Sequence, residues 1–131
     1  MDVSIVIVSY KTPELLFSCV ESIYFHTKSC TFEIIVVDNN SQDCSKELIT
    51  KHFSEVKWID MGYNAGFGRA NNLGVKKSEG KHVLFLNSDT ELFEDAIGKT
   101  LTHYKSLEQT KSDIGLVGCQ IKYPDGRIQP S

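Results

Sequence analysis

Four short apolar runs constrain this chain most: Val3–Val8, Phe32–Val37, Val56–Ile59 and His82–Leu86. Each is strand-sized, and the first two consist mainly of β-branched residues, the mark of strands buried on both faces. The stretches between them carry apolar residues at helical spacing. Thr12-Pro13-Glu14 opens the first helix, with Thr12 as cap, Pro13 in the first helical position and Glu14 facing the positive end of the dipole. Leu15, Leu16, Cys19, Val20 and Ile23 give that helix a buried stripe. A second helix is expected from about Cys44 to His52. A third, from about Phe67 to Ser78, buries Phe67, Ala70, Leu73 and Gly74, with Gly80 ending that segment. A fourth, from about Glu94 to Leu107, carries Ala96, Ile97, Leu101 and Tyr104. Alternating strands and helices with short links predict an α/β domain built on a mostly parallel sheet with right-handed crossovers.

The predicted order ends on a strand from Ile114 to Tyr123 and a turn at Pro124-Asp125-Gly126. Arg127-Ile128-Gln129 then reads as the start of a returning strand. A strand begun so near Ser131 leads to the expectation that the chain is the front part of a longer protein. Its 131 residues suit one domain, 1–131, with a core that needs no disulfides. No internal repeat, low-complexity tract or linker interrupts it.

A formal net charge of −3 argues against a nucleic-acid partner. The apolar runs fall far short of the roughly 18–20 residues of a membrane span, and no signal peptide precedes the first strand. A cytoplasmic protein is expected, with peripheral association at the inner face of a membrane as an extension of that expectation. Cys19, Cys30, Cys44 and Cys119 form no Cys-x-x-Cys pair and have no histidine at zinc spacing, so they read as reduced thiols. His26, His52, His82 and His103 are scattered and read as structural or solvated. Asn39-Asn40-Ser41 matches a glycosylation sequon, an accidental match without secretion.

Function is written at the strand ends. In open α/β sheets ligands bind beyond the carboxyl ends of the strands. There this chain places Ser9-Tyr10-Lys11, Asp38-Asn39-Asn40-Ser41 and Asn87-Ser88-Asp89, with the glycine-bearing Asn64-Ala65-Gly66-Phe67-Gly68-Arg69-Ala70-Asn71-Asn72 between the last two. Tyr10 can pack beside a base, and Asp38 can accept from ring N–H or ribose hydroxyl groups. Asp89, helped by Asn87, can hold a divalent cation that holds phosphates. Arg69 and the first N–H groups of the third helix can meet phosphate charge. Plainer roles stay open: Asp38 capping its own turn, Asp89 capping the next helix, Asn64 and Gly66 forming only a tight turn, Arg69 as a solvated cation, Tyr10 in the core. The first strand lacks the Gly-x-Gly-x-x-Gly of dinucleotide sites, and no Walker loop is present. Asn87 stands where an aspartyl-phosphate phosphatase would need a nucleophile, and an amide cannot attack.

Taken in order, Val6-Ile7-Val8-Ser9-Tyr10, Val36-Val37-Asp38-Asn39-Asn40-Ser41, Asn64–Asn72 and Leu84-Phe85-Leu86-Asn87-Ser88-Asp89 resemble the family 2 glycosyltransferases. The rhamnosyltransferase-like branch is most similar, and Tyr123-Pro124-Asp125-Gly126-Arg127-Ile128-Gln129 fits it too. The resemblance implies a GT-A fold, a Rossmann-like three-layer α/β/α nucleotide-binding part, and inverting transfer from a nucleoside diphosphate sugar with Mg2+ or Mn2+. By that likeness Ser9, Tyr10 and Asp38 contact the nucleoside. Asn64, Gly66 and Arg69 lie near ribose or diphosphate, and Asn87-Ser88-Asp89 occupies the Asp-x-Asp position with Asp89 as metal ligand. The first acidic position of that motif is Asn87, leaving one charged ligand. The implied acceptor is a glycan or lipid-linked glycan of surface polysaccharide assembly. The family's general base is an acidic residue beyond Ser131; Asp125, within its turn, reads as structural. The alternatives are a non-catalytic nucleotide-sugar binding module, which a stop after Ser131 would favour, and a nucleotidyltransferase, whose glycine-rich basic loop is not seen. A truncated sheet would also leave apolar surface for pairing two copies into a homodimer.

Overall fold

The computed structural model describes residues 1–111 and 113–130. Eight elements follow in order: β1 (Val3–Ser9), α1 (Pro13–His26), β2 (Phe32–Asp38), α2 (Ser45–His52), β3 (Lys57–Asp60), α3 (Phe67–Lys76), β4 (His82–Asn87) and α4 (Ala96–Thr110). The strands form one sheet, ordered β3-β2-β1-β4, in which every neighbouring pair is parallel. The sheet grows from β1 toward β3 in one direction, and β4 then joins the opposite side of β1. Helices that connect parallel strands with one handedness change face when the direction of growth reverses. That rule accounts for the layers: α1 and α2 pack on one face with α4, and α3 packs alone on the other.

The burial follows the alternation of side chains along the strands. Ile5, Ile7, Ile34 and Val36 point toward the α1 stripe of Leu16, Cys19, Val20 and Ile23, together with Ile49 of α2 and Ile97 and Leu101 of α4. Ile35 and Val37 point the other way, onto Ala70 of α3. Each fully buried aliphatic side chain contributes about 1.5–3 kcal/mol, so this two-sided packing is the main source of stability. Gly74 lets α3 lie close to the sheet: a Cβ there would sit 2.3 Å from Val6 Cγ1.

Several sequence expectations change. Thr12 occupies the cap position of α1, but its side chain makes no capping bond; its hydroxyl lies 3.4 Å from the Ser88 hydroxyl instead. Leu15 and Phe67 are exposed, 49% and 58%, rather than buried. Both lie in the first turn of their helices, where the sheet beneath has ended. The third strand runs Lys57–Asp60, one residue later than predicted, and the fourth helix starts at Ala96, where Asp95 caps it by accepting the Gly98 N–H. Ile114–Tyr123 is not a strand. Among the described residues no sheet edge is hydrogen-bonded to it, and Leu116 stays 90% exposed, so its strand-favouring residues lack the neighbours that β propensity depends on. The Pro124-Asp125-Gly126 turn does form, closed by an isolated antiparallel bridge between Lys122 and Ile128 and by the Gly126 N–H donating to the Tyr123 carbonyl. Asp125 accepts both the backbone N–H and the Nε–H of Arg127.

Candidate nucleotide-binding site

The reversal in strand order opens a gap between the carboxyl ends of β1 and β4, the place where doubly wound sheets bind ligands. A cavity of about 390 Å³ lies there. β1 and the start of α1 supply Val8, Tyr10, Thr12 and Leu15, and β2 supplies Asn39. Asn64, Gly66 and Phe67 come from the entry to α3, and Asn87, Ser88 and Asp89 from the end of β4. Five residues expected at the site therefore meet in one cavity: Tyr10, Asn64, Gly66, Asn87 and Asp89. Tyr10 is 44% exposed, and Lys11 Nζ stands 5.2 Å from the centre of its ring.

The end of β4 is a small tied turn. The Asn87 carbonyl accepts the Thr90 N–H at 3.2 Å and the Thr90 hydroxyl at 2.8 Å. The Cys19 thiol of α1 points at the same carbonyl from 3.7 Å. Burial pushes that thiol up to about 12, so it stays neutral. With its backbone held, the turn exposes the side chains of Asn87 and Asp89. Among the described residues neither side chain has a hydrogen-bond or ion-pair partner. A carboxylate left without a protein partner beside a cavity is available to a cation. Three-residue clusters of His, Cys, Asp or Glu of metal-holding geometry are absent among the described residues. One carboxylate and one amide oxygen thus suit a cation that takes its other ligands from phosphate and water.

The entry to α3 is built for close approach. Gly66 caps the helix at φ +81, a left-handed angle that a Cβ disfavours, although nothing lies within 4 Å of where a Cβ would stand. Backbone angle, and not space, requires glycine there. The Asn64 side chain accepts the Gly66 N–H at 3.1 Å. No side chain caps α3, so its first N–H groups remain free beside the cavity, an arrangement that favours anions.

Three residues named from the sequence lie outside the cavity lining. Ser9 is fully buried at the end of β1, and among the described residues its hydroxyl has no hydrogen-bond partner. Asp38 is 7% exposed, and its two oxygens accept the N–H and the hydroxyl of Ser41. Arg69 is exposed on the first turn of α3. Conversely, Thr12, Leu15, Asn39, Phe67 and Ser88 line the cavity without having been singled out as ligand contacts. For Phe67 the signal was its place directly after Gly66, at a helix entry beyond the sheet.

The profile of glycosyl transferase family 2 matches residues 4–122. The chain belongs to this family. A poly(ribitol-phosphate) beta-glucosyltransferase of Bacillus spizizenii is 31% identical over 121 residues, covering 88% of this chain and 19% of that protein. Among solved structures, the mannosyltransferase PcManGT of Pyrobaculum calidifontis, in complex with GDP-Man and Mn2+, superposes with a TM-score of 0.76 at 19% identity. It covers 94% of this chain and 36% of its own. S. aureus TarS in complex with UDP gives a TM-score of 0.72 at 22% identity, covering 83% of this chain and 33% of its own. These likenesses establish the α/β fold of the GT-A glycosyltransferases. The chain spans 10–19% of the length of the first curated relatives it matches. Within this family 2 domain, the matched residues include β1 from Ser4 onward, all of β2, β3 and β4, and every residue lining the cavity.

Proposed function

We propose that this family 2 domain binds the nucleoside diphosphate portion of a sugar donor in the β1–β4 cavity, together with Mg2+ or Mn2+, for inverting transfer of the sugar. One observation carries it: the cavity joins a free carboxylate, Asp89, to an uncapped helix entry and to the aromatic rings of Tyr10 and Phe67. Those are the groups a metal-bound diphosphate and a flat base require. Asp89, with Asn87, would hold the cation, which supplies charge neutralisation for the departing diphosphate. The α3 entry, from Asn64 and Gly66, faces the phosphates, and Arg69 adds positive charge nearby. Tyr10 lies against the base. Ser9 and Asp38 lie beneath this lining, with both Asp38 oxygens bound to Ser41, and in this reading they shape the nucleoside side of the site from below.

The acceptor we infer is a glycan or lipid-linked glycan, although the glucosyltransferase among the relatives is named for poly(ribitol-phosphate), a polyol-phosphate polymer. A lipid-linked acceptor would bring the protein to the cytoplasmic face of a membrane as a peripheral partner; among the described residues no helix is long and apolar enough to cross one. Among the described residues Asp89 is the one carboxylate lining the cavity. If it holds the cation, no second carboxylate there can take the acceptor's proton. That observation favours donor binding as this domain's own part of the reaction, and keeps a nucleotide-sugar binding module as the second reading.

The test is calorimetric titration of UDP, GDP and dTDP, with Mn2+ present, into the parent and Asp89→Ala. Metal-dependent binding by the parent that falls at least tenfold in the variant, with thermal stability unchanged, is expected. Equal affinities would remove Asp89 from the site.

A further inference from the structure

Asn39 is the residue after β2. It is 5% exposed and lines the cavity, yet it belongs to neither the phosphate-facing turn at Asp89 nor the helix entry at Gly66. Its backbone N–H donates to the Ser9 carbonyl at 2.9 Å, which extends the pairing of β1 with β2 by one bond. Its side-chain Oδ1 accepts the Ala65 N–H at 2.8 Å. Ala65 lies in the middle of the loop that leads into α3, twenty-six positions along the chain from Asn39. That loop has left-handed glycines at Gly62 and Gly66; the Met61 N–H on the Asp38 carbonyl ties its start and the Asn64 bond to the Gly66 N–H shapes its end, which leaves its middle to Asn39. Asn39 thus ties a pliable loop to the rigid end of the sheet.

The same bond orients the amide. An N–H must be met by oxygen, so the nitrogen, Nδ2, is turned away from Ala65. Nδ2 has no hydrogen-bond partner among the described residues. Nδ2 is not sealed inside the protein, so an acceptor in the cavity that Asn39 lines can reach it.

We propose that Asn39 is a positioning and specificity residue of this site: Oδ1 latches the 61–66 loop in place as a cavity wall, and Nδ2 donates to an oxygen of the bound nucleotide. The donor role rests on the nucleotide reading above; the latch does not. An amide suits both tasks because it presents an acceptor and a donor at once. Aspartate at this position keeps the acceptor and loses the donor, and alanine loses both.

The experiment measures two quantities on the parent, Asn39→Ala and Asn39→Asp. One is hydrogen exchange at the Ala65 amide. The other is affinity, in the presence of Mn2+, for whichever of UDP, GDP and dTDP the parent binds. Asn39→Ala is expected to speed Ala65 exchange and to weaken binding. Asn39→Asp should retain Ala65 protection and still lose about tenfold in affinity, the weight of one hydrogen bond to a ligand. A purely structural Asn39 would bind normally once aspartate restored the latch, so parental affinity in Asn39→Asp overturns the donor role. Unchanged Ala65 exchange in Asn39→Ala overturns the latch. A parent that binds none of the three nucleotides overturns the nucleotide reading and the donor role with it, and leaves the latch to be judged by exchange.

Discussion

The Ser41 hydroxyl donates to Asp38 Oδ1 at 2.5 Å while the Ser41 N–H donates to Asp38 Oδ2 at 2.9 Å. The same hydroxyl accepts the Lys11 N–H, also at 2.9 Å. Ser41 therefore stitches the turn after β2 to the turn after β1, and Asn40 and Gln42 in the first and Lys11 in the second adopt the positive φ angles that non-glycine residues rarely hold. Backbone strain of that kind persists only where surrounding bonds over-determine it.

Ser41→Ala is expected to cost about 1–3 kcal/mol, because it leaves a buried carboxylate short of a donor and frees the Lys11 turn. Urea unfolding measures it, and Ser41→Thr, which keeps the hydroxyl, should recover most of the loss. A cost below a few tenths of a kcal/mol would show that the stitch is dispensable.

The glycines of α3 should behave oppositely. Gly74→Ala places a Cβ against Val6 and should destabilise by about 1–3 kcal/mol through overpacking. Gly68 has open space around it and an ordinary helical backbone, so Gly68→Ala should stabilise by about 0.5–1 kcal/mol. Thermal unfolding of the two variants distinguishes them; a shift of the same sign in both would contradict the close approach of α3 to β1.

Cys19 gives a prediction on the alkaline side. Its thiol ionises at about 12 in the fold against an ordinary 9.0. Between those values the unfolded chain releases a proton that the native state keeps, so stability is full below about pH 9 and falls as pH rises toward 12. Cys19→Ala should flatten this part of the stability profile. At pH 8 the exposed Cys44 and Cys119 should react with a thiol reagent while buried Cys19 resists until unfolding.

Strand positions were legible in the sequence because the four apolar runs are strand-sized; those of β1 and β2 are buried on both faces, as the centre of a parallel sheet covered by helices requires, while the edge strands β3 and β4 are buried only in part. The cavity was legible in outline for the same reason: Tyr10, Asn64, Gly66, Asn87 and Asp89 each sit where a strand stops or a helix begins. What the sequence could not carry was direction. Asp38 at a strand end looks alike whether it faces a ligand or its own turn, and only the bonds to Ser41 show that its oxygens are engaged. Phe67 and Leu15 have core chemistry and helical spacing, but both stand past the end of the sheet. Ile114–Tyr123 has strand composition, yet a strand exists only beside a partner, and β4's outer edge has none among the described residues.

The most direct measurement is calorimetric titration of the protein with UDP, GDP and dTDP, each with and without Mn2+. Saturable binding of one nucleotide at a single site, strengthened at least tenfold by Mn2+, is the predicted result. Binding that ignores the metal would contradict Asp89 as its anchor. No binding of any of the three, by a protein shown to be folded, would contradict the claim that the β1–β4 cavity receives the sugar donor.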